Sequence, residues 1–521
     1  MCGLVGEIRF DGRRADVEAV ERACSAMAPR GPDGSGAWSE GPIALGARRL
    51  SIIDLSSAGS QPMVDQRLGL TIVFNGCIYN HESLRNTLLG RGHTFSSHSD
   101  TEVIVKAYAE WGTECVRRFR GMFAFAIVEH DSGRVVLARD RLGVKPLYLD
   151  HSAARLRFAS TLPALLAAGG VDTSIDKVAL SHYLSFHSVV APPRTILTGV
   201  RKLPPATVRV IEPDGSIRDT LYWEPSFIRS PEHAGWSERD WHDAVLELLR
   251  SAVRRRMVAD VPVGVLLSGG LDSSLLVALL AESGHRSLAT FSIGFDSAGG
   301  DAGDEFEFSD AVVRRFATDH HRIRIDADRL LQAVDGTVSS MSEPIMSSGA
   351  FGFYLLGQDV AGSHKVVQCG QGADEVWAGY HWHAALADVS RDRAVDGYAA
   401  AFMDRPLHEL SAMLDPEWML DEDEPRSFLA SHFARPGAAT AVDAALRHDT
   451  QITLVDEPLA RVDAMLMASG VEARVPYLDH ELAHRGLVGI AVALRQRRCA
   501  LVSQLFRPAI GHPLEVAVVE A

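Results

Sequence analysis

The chain has 521 residues, of which 46 % are hydrophobic and 23 % are charged, an ordinary composition for a globular protein. Its length predicts roughly two to four domains. A formal net charge of −15 argues against a nucleic-acid partner, which needs a basic surface. No apolar run is long enough to cross a bilayer, and the first residues lack a signal-peptide pattern, so we expect no membrane partner. The six cysteines form no CxxC pair, which argues against a zinc site or disulfide framework and predicts a cytoplasmic location.

The chain begins Met1-Cys2-Gly3. If Met1 is removed, Cys2 carries both a thiol and a free α-amino group. An α-amino group has a pKa of about 7.7–8 and can take the thiol proton, directly or through a water, to leave a nucleophilic thiolate. From this residue alone, a catalytic cysteine and a chance cysteine are equally good interpretations.

Four segments follow from the distribution of turns and apolar stretches. Residues 1–205 are predicted to form a domain rich in short strands, and proline and turn residues mark a linker at 206–236. From 237 to 482, helical periodicity alternates with short buried strands such as 261–267, which predicts a parallel sheet. We treat 483–521 as a separate C-terminal tail.

A glycine-rich turn follows the predicted strand at 261–267 and precedes a helix. It reads Ser268-Gly269-Gly270-Leu271-Asp272-Ser273-Ser274. Glycines let backbone N–H groups converge on an anion, and the helix N-terminus adds its positive dipole end. Asp272 suits a Mg²⁺ ion that bridges phosphates. An ordinary helix cap is the alternative, but three serines and an aspartate around two glycines exceed what capping needs.

A second loop also follows a predicted buried strand and reads Cys369-Gly370-Gln371-Gly372-Ala373-Asp374-Glu375. Ligands collect at the carboxyl ends of parallel strands, so two such loops on neighbouring strands would face one cleft. Asp374 would then share the metal ion with Asp272. Capping of a helix N-terminus by acidic residues is the alternative for Asp374 and Glu375.

Together and in this order, these motifs resemble the glutamine-dependent asparagine synthetase family. Further motifs that carry the resemblance are Arg30-Gly31-Pro32-Asp33, Arg49–Asp54, Asn75-Gly76, Ser99-Asp100, Arg139–Gly143 and Glu472–Asp479. The resemblance covers residues 1 to about 482 and implies a mixed α+β and α/β fold. The first half would be an N-terminal-nucleophile αββα sandwich, a class II glutamine amidotransferase domain. The second would be a parallel-sheet ATP-pyrophosphatase domain of the adenine nucleotide α-hydrolase-like type.

The resemblance implies a carbon–nitrogen ligase with glutamine as the nitrogen donor. Cys2 would attack the glutamine amide, and the Asn75 side chain and Gly76 N–H would hold the oxyanion. Alone, Asn75-Gly76 would suggest a hairpin turn. Arg49 would bind the glutamine α-carboxylate and Asp100 its α-ammonium group. The remaining residues implied for glutamine binding are Leu50, Ser51, Ile52, Ile53 and Cys77.

In the second half, ATP would adenylate an acceptor carboxylate such as that of aspartate, and ammonia would then amidate it. The residues implied for ATP binding are Leu266, Ser268, Gly269, Gly270, Asp272, Ser273, Ile293, Cys369 and Gly370. Leu266 and Ile293 would flank the adenine, although core packing also explains them. Gln371 and Asp374 would form the adenylation loop, and Asp272 and Asp374 would hold Mg²⁺. The implied partners are therefore small molecules, and a homodimer is left open.

Three departures from the family pattern leave the acceptor open. Cys77 and Gln371 each stand where the family usually has glutamate, and both are closer to the branch that amidates N-acetylglutaminylglutamine. No lysine follows Lys365, whereas the family carries a lysine after the segment ending at Asp479 that completes the adenylation site. A ligase-defective nucleotide-binding protein is therefore a further alternative.

Overall fold

The computed structural model describes residues 2–228, 230–233, 235–296, 303–345 and 347–486. Its strands are β1 (Gly3–Arg9), β2 (Gly34–Glu40), β3 (Ile43–Arg49), β4 (Met63–Asp65), β5 (Leu70–Ile78), β6 (Gly121–Glu129), β7 (Val135–Arg139), β8 (Tyr148–His151), β9 (Arg155–Ala159), β10 (Val200–Lys202), β11 (Thr207–Ile211), β12 (Ile217–Leu221), β13 (Val263–Leu266), β14 (Ala289–Phe295), β15 (Asp319–Ile325), β16 (Val366–Gln368) and β17 (Glu472–Arg474).

Helices cover the sheets and make up most of the second half of the chain. They are α1 (Val17–Ala26), α2 (His81–Leu89), α3 (Asp100–Trp111), α4 (Leu162–Ala168), α5 (Lys177–Ser185), α6 (Glu238–Arg255), α7 (Leu271–Glu282), α8 (Phe306–Phe316), α9 (Ala327–Gln332), α10 (Val334–Ser340), α11 (Ser348–Val360), α12 (Ala373–Trp377), α13 (His381–Ala385), α14 (Ala394–Phe402), α15 (Leu407–Met413), α16 (Glu424–Ala434), α17 (Ala441–His448), α18 (Leu454–Asp456) and α19 (Pro458–Met467).

The first half contains two antiparallel sheets that pack face to face. Their strand orders are β10-β8-β9-β1-β3-β2 and β12-β11-β7-β6-β5-β4. Leu4 and Leu45 of the first sheet meet Val73 and Ala126 of the second in one apolar layer. Helices α1 and α4 cover the outer face of the first sheet, and α2 and α3 cover that of the second. These layers are the predicted αββα sandwich.

The second sheet continues beyond residue 205, into the segment predicted as a linker. β11 pairs with β7, and β12 pairs with β11. The turn between β11 and β12 contains Gly215, whose φ of +85° suits glycine, and Gly215 N donates to Glu212 O. The first half of the molecule therefore extends to Leu221 at least.

The second half is built on a parallel sheet with the order β15-β14-β13-β16-β17. Val265 of β13 packs towards α6 and α7, and its neighbour Leu266 packs with α11 and α19 on the opposite face. The strand predicted at 261–267 is shorter in the structure, where β13 spans Val263–Leu266. Its later start follows from Pro262, which has no N–H for the sheet. The loops after β13 and β16 leave the same edge of the sheet.

The two halves share buried contacts. Met122 and Val144 of the first half lie in one apolar cluster with Val475 and Leu478 of the second. Asp463 accepts hydrogen bonds from Arg30 at 2.8 Å and from Lys145 at 3.1 Å, and all three side chains are buried. The two halves are therefore held in a fixed relation within the described parts of the chain.

Candidate functional site

Cys2 lies immediately before β1, in the centre of the first sheet. The backbone nitrogen of Cys2 donates to Asn75 Oδ1 at 3.1 Å, and Gln61 Nε2 lies 3.9 Å from the Cys2 sulfur. Gln61 is itself held by Phe74 N, which donates to Gln61 Oε1 at 2.7 Å. Burial raises the pKa of the Cys2 thiol, so a nucleophilic role requires a nearby base. Polar side chains therefore lie next to both the backbone nitrogen and the sulfur of Cys2.

Asn75 and Gly76 lie within β5, paired with β6, and not in a hairpin turn. The Asn75 side chain is fully buried, and its Nδ2 has no hydrogen-bond partner within the described residues. An unsatisfied buried amide donor is costly unless a ligand completes it. At Gly76 a Cβ atom would collide with the Met122 carbonyl oxygen, so only glycine fits. The Asn75 Nδ2 is thus a buried donor of the kind that binds an oxyanion.

A cavity of about 360 Å³ lies against Cys2. The predicted residues that line it are Cys2, Arg49, Leu50, Ile52, Ile53, Gly76, Cys77 and Asp100. Two predicted residues do not line it: Asn75, whose Oδ1 accepts from Cys2 N, and Ser51, whose backbone N donates to Asp33 Oδ2 at 2.7 Å. Lining residues that were not predicted to bind glutamine are Gly59, Gln61, Phe74, Ser99, Thr101 and Glu472.

The charges around this cavity suit an amino acid. Arg49 is held by the loop that follows β3, donating to Ser56 O at 2.8 Å and also to Asp54 O. Asp100 is the first residue of α3 and accepts from Ile78 N at 3.0 Å. Burial raises the pKa of Asp100. A fixed cation and a carboxylate thus face one small space, as the α-carboxylate and α-ammonium groups of an amino acid require.

A larger cavity, of about 1460 Å³, lies at the carboxyl edge of the parallel sheet. The predicted residues that line it are Leu266, Ser268, Gly270, Asp272, Ser273, Ile293, Cys369, Gly370, Gln371 and Asp374. Gly269 does not line it. Its φ is +93°, and a Cβ there would collide with Ser309 N and the Phe308 side chain, so Gly269 is needed for close approach of the loop to α8.

The loop after β13 is held in shape by its serines. Ser268 Oγ lies 3.0 Å from Ser273 Oγ, and Gly270 N donates to Ser268 Oγ at 3.2 Å. Ser274 Oγ donates to Gly270 O at 2.7 Å. Helix α7 begins at Leu271, so its N-terminal N–H groups lie at this loop. The arrangement suits a phosphate group.

Acidic side chains crowd the other side of this cavity. Burial and the charge of Asp374 raise the pKa of Asp272 to about 8, and burial raises the pKa of Asp374. The pKa of Glu375 is also raised to about 8, by burial and by Asp374, and Tyr380 OH donates to Glu375 Oε1 at 2.8 Å. No group of three or more His, Cys, Asp or Glu side chains forms a metal cage in the described residues. Two carboxylates fit Mg²⁺, which takes few protein ligands when it also binds phosphates.

Two family profiles match this chain. That of a glutamine amidotransferase domain matches residues 1–223, and that of asparagine synthase matches residues 244–488. The glutamine-hydrolyzing asparagine synthetase 3 of Bacillus subtilis (strain 168) is 30 % identical over 505 residues, covering 92 % of this chain and 80 % of the relative. The chain belongs to the glutamine-hydrolysing asparagine synthetase family.

Other members of the family differ in name. A putative glutamine-hydrolyzing asparagine synthetase 2 of Methanocaldococcus jannaschii is 34 % identical, over 74 % of this chain and 76 % of the relative. The amidase chyE of Penicillium rubens is 29 % identical, over 80 % of this chain and 62 % of the relative. Membership confirms the predicted recognition, the fold class and the assignment to a ligase family that uses ATP.

The site residues, Mg²⁺ and the homodimer stay predictions. None of the described helices is both long and apolar enough to cross a membrane. Most of the predicted tail, 483–521, lies outside the described residues, which end at Gly486.

A third cavity, of about 350 Å³, lies next to residues of both sites. Its lining includes apolar side chains from both halves of the molecule and also charged ones; they are Met122, Leu142, Val144, Val475, Leu478, Asp140, Arg141, Arg256, Asp479 and His480. Met122 pairs with Cys77 of the cavity beside Cys2, and the Leu478 side chain lies against Gly372 of the larger cavity. Apolar and charged residues of both halves therefore lie next to residues of both cavities.

Proposed function

We propose that this protein is a glutamine-hydrolysing, ATP-dependent amide ligase. The observation that carries the proposal is the placement of Cys2 beside the unsatisfied Asn75 amide, at the wall of a cavity that also presents Arg49 and Asp100. A nucleophile, an oxyanion donor and the two charges that recognise an amino acid meet at one place. The second cavity supports the ATP-dependent half-reaction.

In the first half-reaction, the α-amino group freed by loss of Met1 takes the thiol proton of Cys2. The thiolate attacks the side-chain carbonyl carbon of glutamine, and the oxyanion accepts hydrogen bonds from Asn75 Nδ2 and Gly76 N. The tetrahedral intermediate collapses as the amine takes a proton and leaves as ammonia. Water then cleaves the thioester, which releases glutamate and restores the thiol.

In the second half-reaction, an acceptor carboxylate oxygen attacks the α-phosphorus of the substrate ATP, and pyrophosphate leaves. The Ser268–Ser274 loop binds the pyrophosphate through backbone N–H groups at the start of α7. Asp272 and Asp374 would hold Mg²⁺, which supplies positive charge to the phosphates. Ammonia attacks the activated carbonyl and AMP leaves. The route of ammonia would pass the third cavity, where the apolar side chains of Met122 and Leu478 lie among charged ones.

We propose aspartate as the acceptor, because most of the named relatives above are asparagine synthetases. N-acetylglutaminylglutamine is the second candidate. Cys77 and Gln371 favour it, since they line the two cavities at positions where the family usually has glutamate. The lysine-free sequence after Lys365 favours a ligase-defective protein instead.

The test is an acceptor screen scored by pyrophosphate release, with either glutamine or ammonium as the nitrogen source. It compares the wild type with Cys2→Ala and with Cys24→Ala, which removes a thiol in α1. We expect Cys2→Ala to abolish glutamine-driven amidation and to keep ammonium-driven amidation, while Cys24→Ala keeps both. The absence of pyrophosphate release with every acceptor in the screen would establish the ligase-defective alternative, and glutamine hydrolysis by Cys2→Ala would refute the first half-reaction.

A further inference from the structure

Glu472 is a buried acid that reaches the glutamine-side cavity from the other half of the molecule. It is the first residue of β17, at the edge of the parallel sheet, and its backbone nitrogen donates to Lys365 O at 2.7 Å. Its side chain lines the same cavity as Cys2, Arg49 and Asp100. The wall of this cavity is therefore not supplied by the first half alone.

Arg474 fixes the Glu472 side chain in place. Arg474 Nε donates to Glu472 Oε1 at 2.6 Å, and Arg474 Nη1 donates to Arg256 O and Val258 O at 2.8 and 2.7 Å. Another Arg474 nitrogen lies 3.7 Å from the Cys77 sulfur, on the opposite side of the interface. Both Glu472 and Arg474 are fully buried. A carboxylate anchored in this way has little freedom to turn away from the cavity.

Two carboxylates, of Asp100 and Glu472, and one guanidinium, of Arg49, line this cavity. Burial raises the pKa of Asp100, and the nearby charge of Glu472 adds to that rise. Burial would raise the pKa of Glu472, but the positive charges of the chain N-terminus, Arg474 and Lys145 outweigh it and lower the pKa. Glu472 is therefore an ionised carboxylate near Asp100 at neutral pH. A ligand that brings a positive group relieves the repulsion between the two acids.

We propose that Glu472 positions glutamine by holding its α-ammonium group together with Asp100, so that the synthetase half completes the glutamine site. The inference rests on the proposed function, since it assumes that glutamine occupies the cavity. Glu472 positions glutamine and contributes to specificity, whereas the nucleophile, Cys2, belongs to the first half of the molecule. Arg49 serves the opposite end of the same amino acid.

The experiment measures glutamine hydrolysis by the full chain and by Glu472→Gln, which keeps the side-chain shape and removes the charge. We expect the KM for glutamine to rise about 10- to 100-fold, as for loss of a charged hydrogen bond, with a smaller change in kcat. The KM for ammonium in the ligase reaction should not change. Glu481→Gln is the matched control, because Glu481 also joins the two halves, through Arg120 at 2.6 Å, but does not line the cavity.

A second substrate separates recognition from simple destabilisation. Glutaramate lacks the α-ammonium group of glutamine, so its kcat/KM should be the same in the wild type and in Glu472→Gln. Equal losses on glutamine and glutaramate, or an unchanged KM for glutamine, would overturn the inference. A wild type that hydrolyses no glutamine would instead refute the proposed function. Adding Cys77→Glu to Glu472→Gln places a carboxylate next to Arg474 and should restore part of the affinity for glutamine.

Discussion

The two cavities of this molecule handle charge in different ways. In the glutamine-side cavity, of about 360 Å³, Arg49 is bound by backbone carbonyls and Glu472 by Arg474. In the nucleotide-side cavity, of about 1460 Å³, burial and the charge of Asp374 raise the pKa of Asp272, and burial raises that of Asp374. The first is a rigid site for a small zwitterion. The second is a site whose negative charge is neutralised by the cation that it binds.

Replacing Asp374 with Asn should give the largest effect and sharpen this contrast. We expect ATP-dependent amidation to fall by about 10³-fold, because the loss of a metal-held charge is worth several kcal/mol. The ligand-free protein should become more stable, since the substitution removes repulsion with Asp272. Turnover and thermal unfolding are measured on the same preparation. Glutamine hydrolysis serves as the internal control, and a lower melting temperature together with unchanged turnover would contradict the acid-pair interpretation.

Replacing Asn75 with Ala tests the rigid site. We expect kcat for glutamine hydrolysis to fall by about 10²–10³-fold, as for removal of one oxyanion donor. Ammonium-driven amidation should be unchanged, because the nucleotide-side cavity is untouched. Gln66→Ala, which removes an exposed amide in a turn, is the control. If both nitrogen sources lose activity equally, Asn75 acts on folding and not on the oxyanion.

A general rule of parallel sheets placed the two loops of the nucleotide-side cavity together, whereas no such rule brought together the residues of the glutamine-side cavity. The loops at 268–274 and 369–375 each follow a strand, and β13 and β16 are neighbours, so the rule for parallel sheets brought them together. Gln61 and Glu472 lie far apart along the chain and carry no periodic signal that would place them beside Cys2. Asn75-Gly76 even had a misleading local signal, because pairing of β5 with β6 overrides its preference for a turn.

The pH dependence of stability tests the acids of the nucleotide-side cavity through a smaller expected effect. Asp272 has a folded-state pKa of about 8, against about 3.9 when unfolded. Between these values the folded state binds more protons, so the contribution of Asp272 to the free energy of unfolding falls as pH rises from about 4 to 8. We expect the melting temperature of the ligand-free wild type to fall by a few degrees between pH 6 and 8.5, and that of Asp272→Asn to fall less. Parallel curves for the two proteins would show that this carboxyl does not titrate in that range.

Bound Mg²⁺ with ATP should cancel this pH dependence, because a cation holds the acids ionised. The stabilisation by Mg²⁺ and ATP should therefore be larger at pH 8.5 than at pH 6. In the glutamine-side cavity no comparable dependence is expected from Glu472, whose pKa is lowered by its positive neighbours. If Mg²⁺ and ATP stabilise the protein equally at pH 6 and at pH 8.5, the two cavities do not differ in the way that their charged groups indicate.

The smallest effect is expected at Tyr380, which donates to Glu375 at the edge of the nucleotide-side cavity. Its ring also stacks on Trp382, with centroids 4.2 Å apart, so Tyr380→Phe keeps the packing and removes only the hydroxyl. Loss of that hydrogen bond should cost about 1 kcal/mol, or roughly fivefold in kcat/KM for ATP. Tyr183→Phe, outside both cavities, is the control. A loss of 100-fold or more in kcat/KM would show that the Tyr380 hydroxyl contacts the reacting groups. The nucleotide-side cavity would then hold its side chains as rigidly as the glutamine-side cavity does.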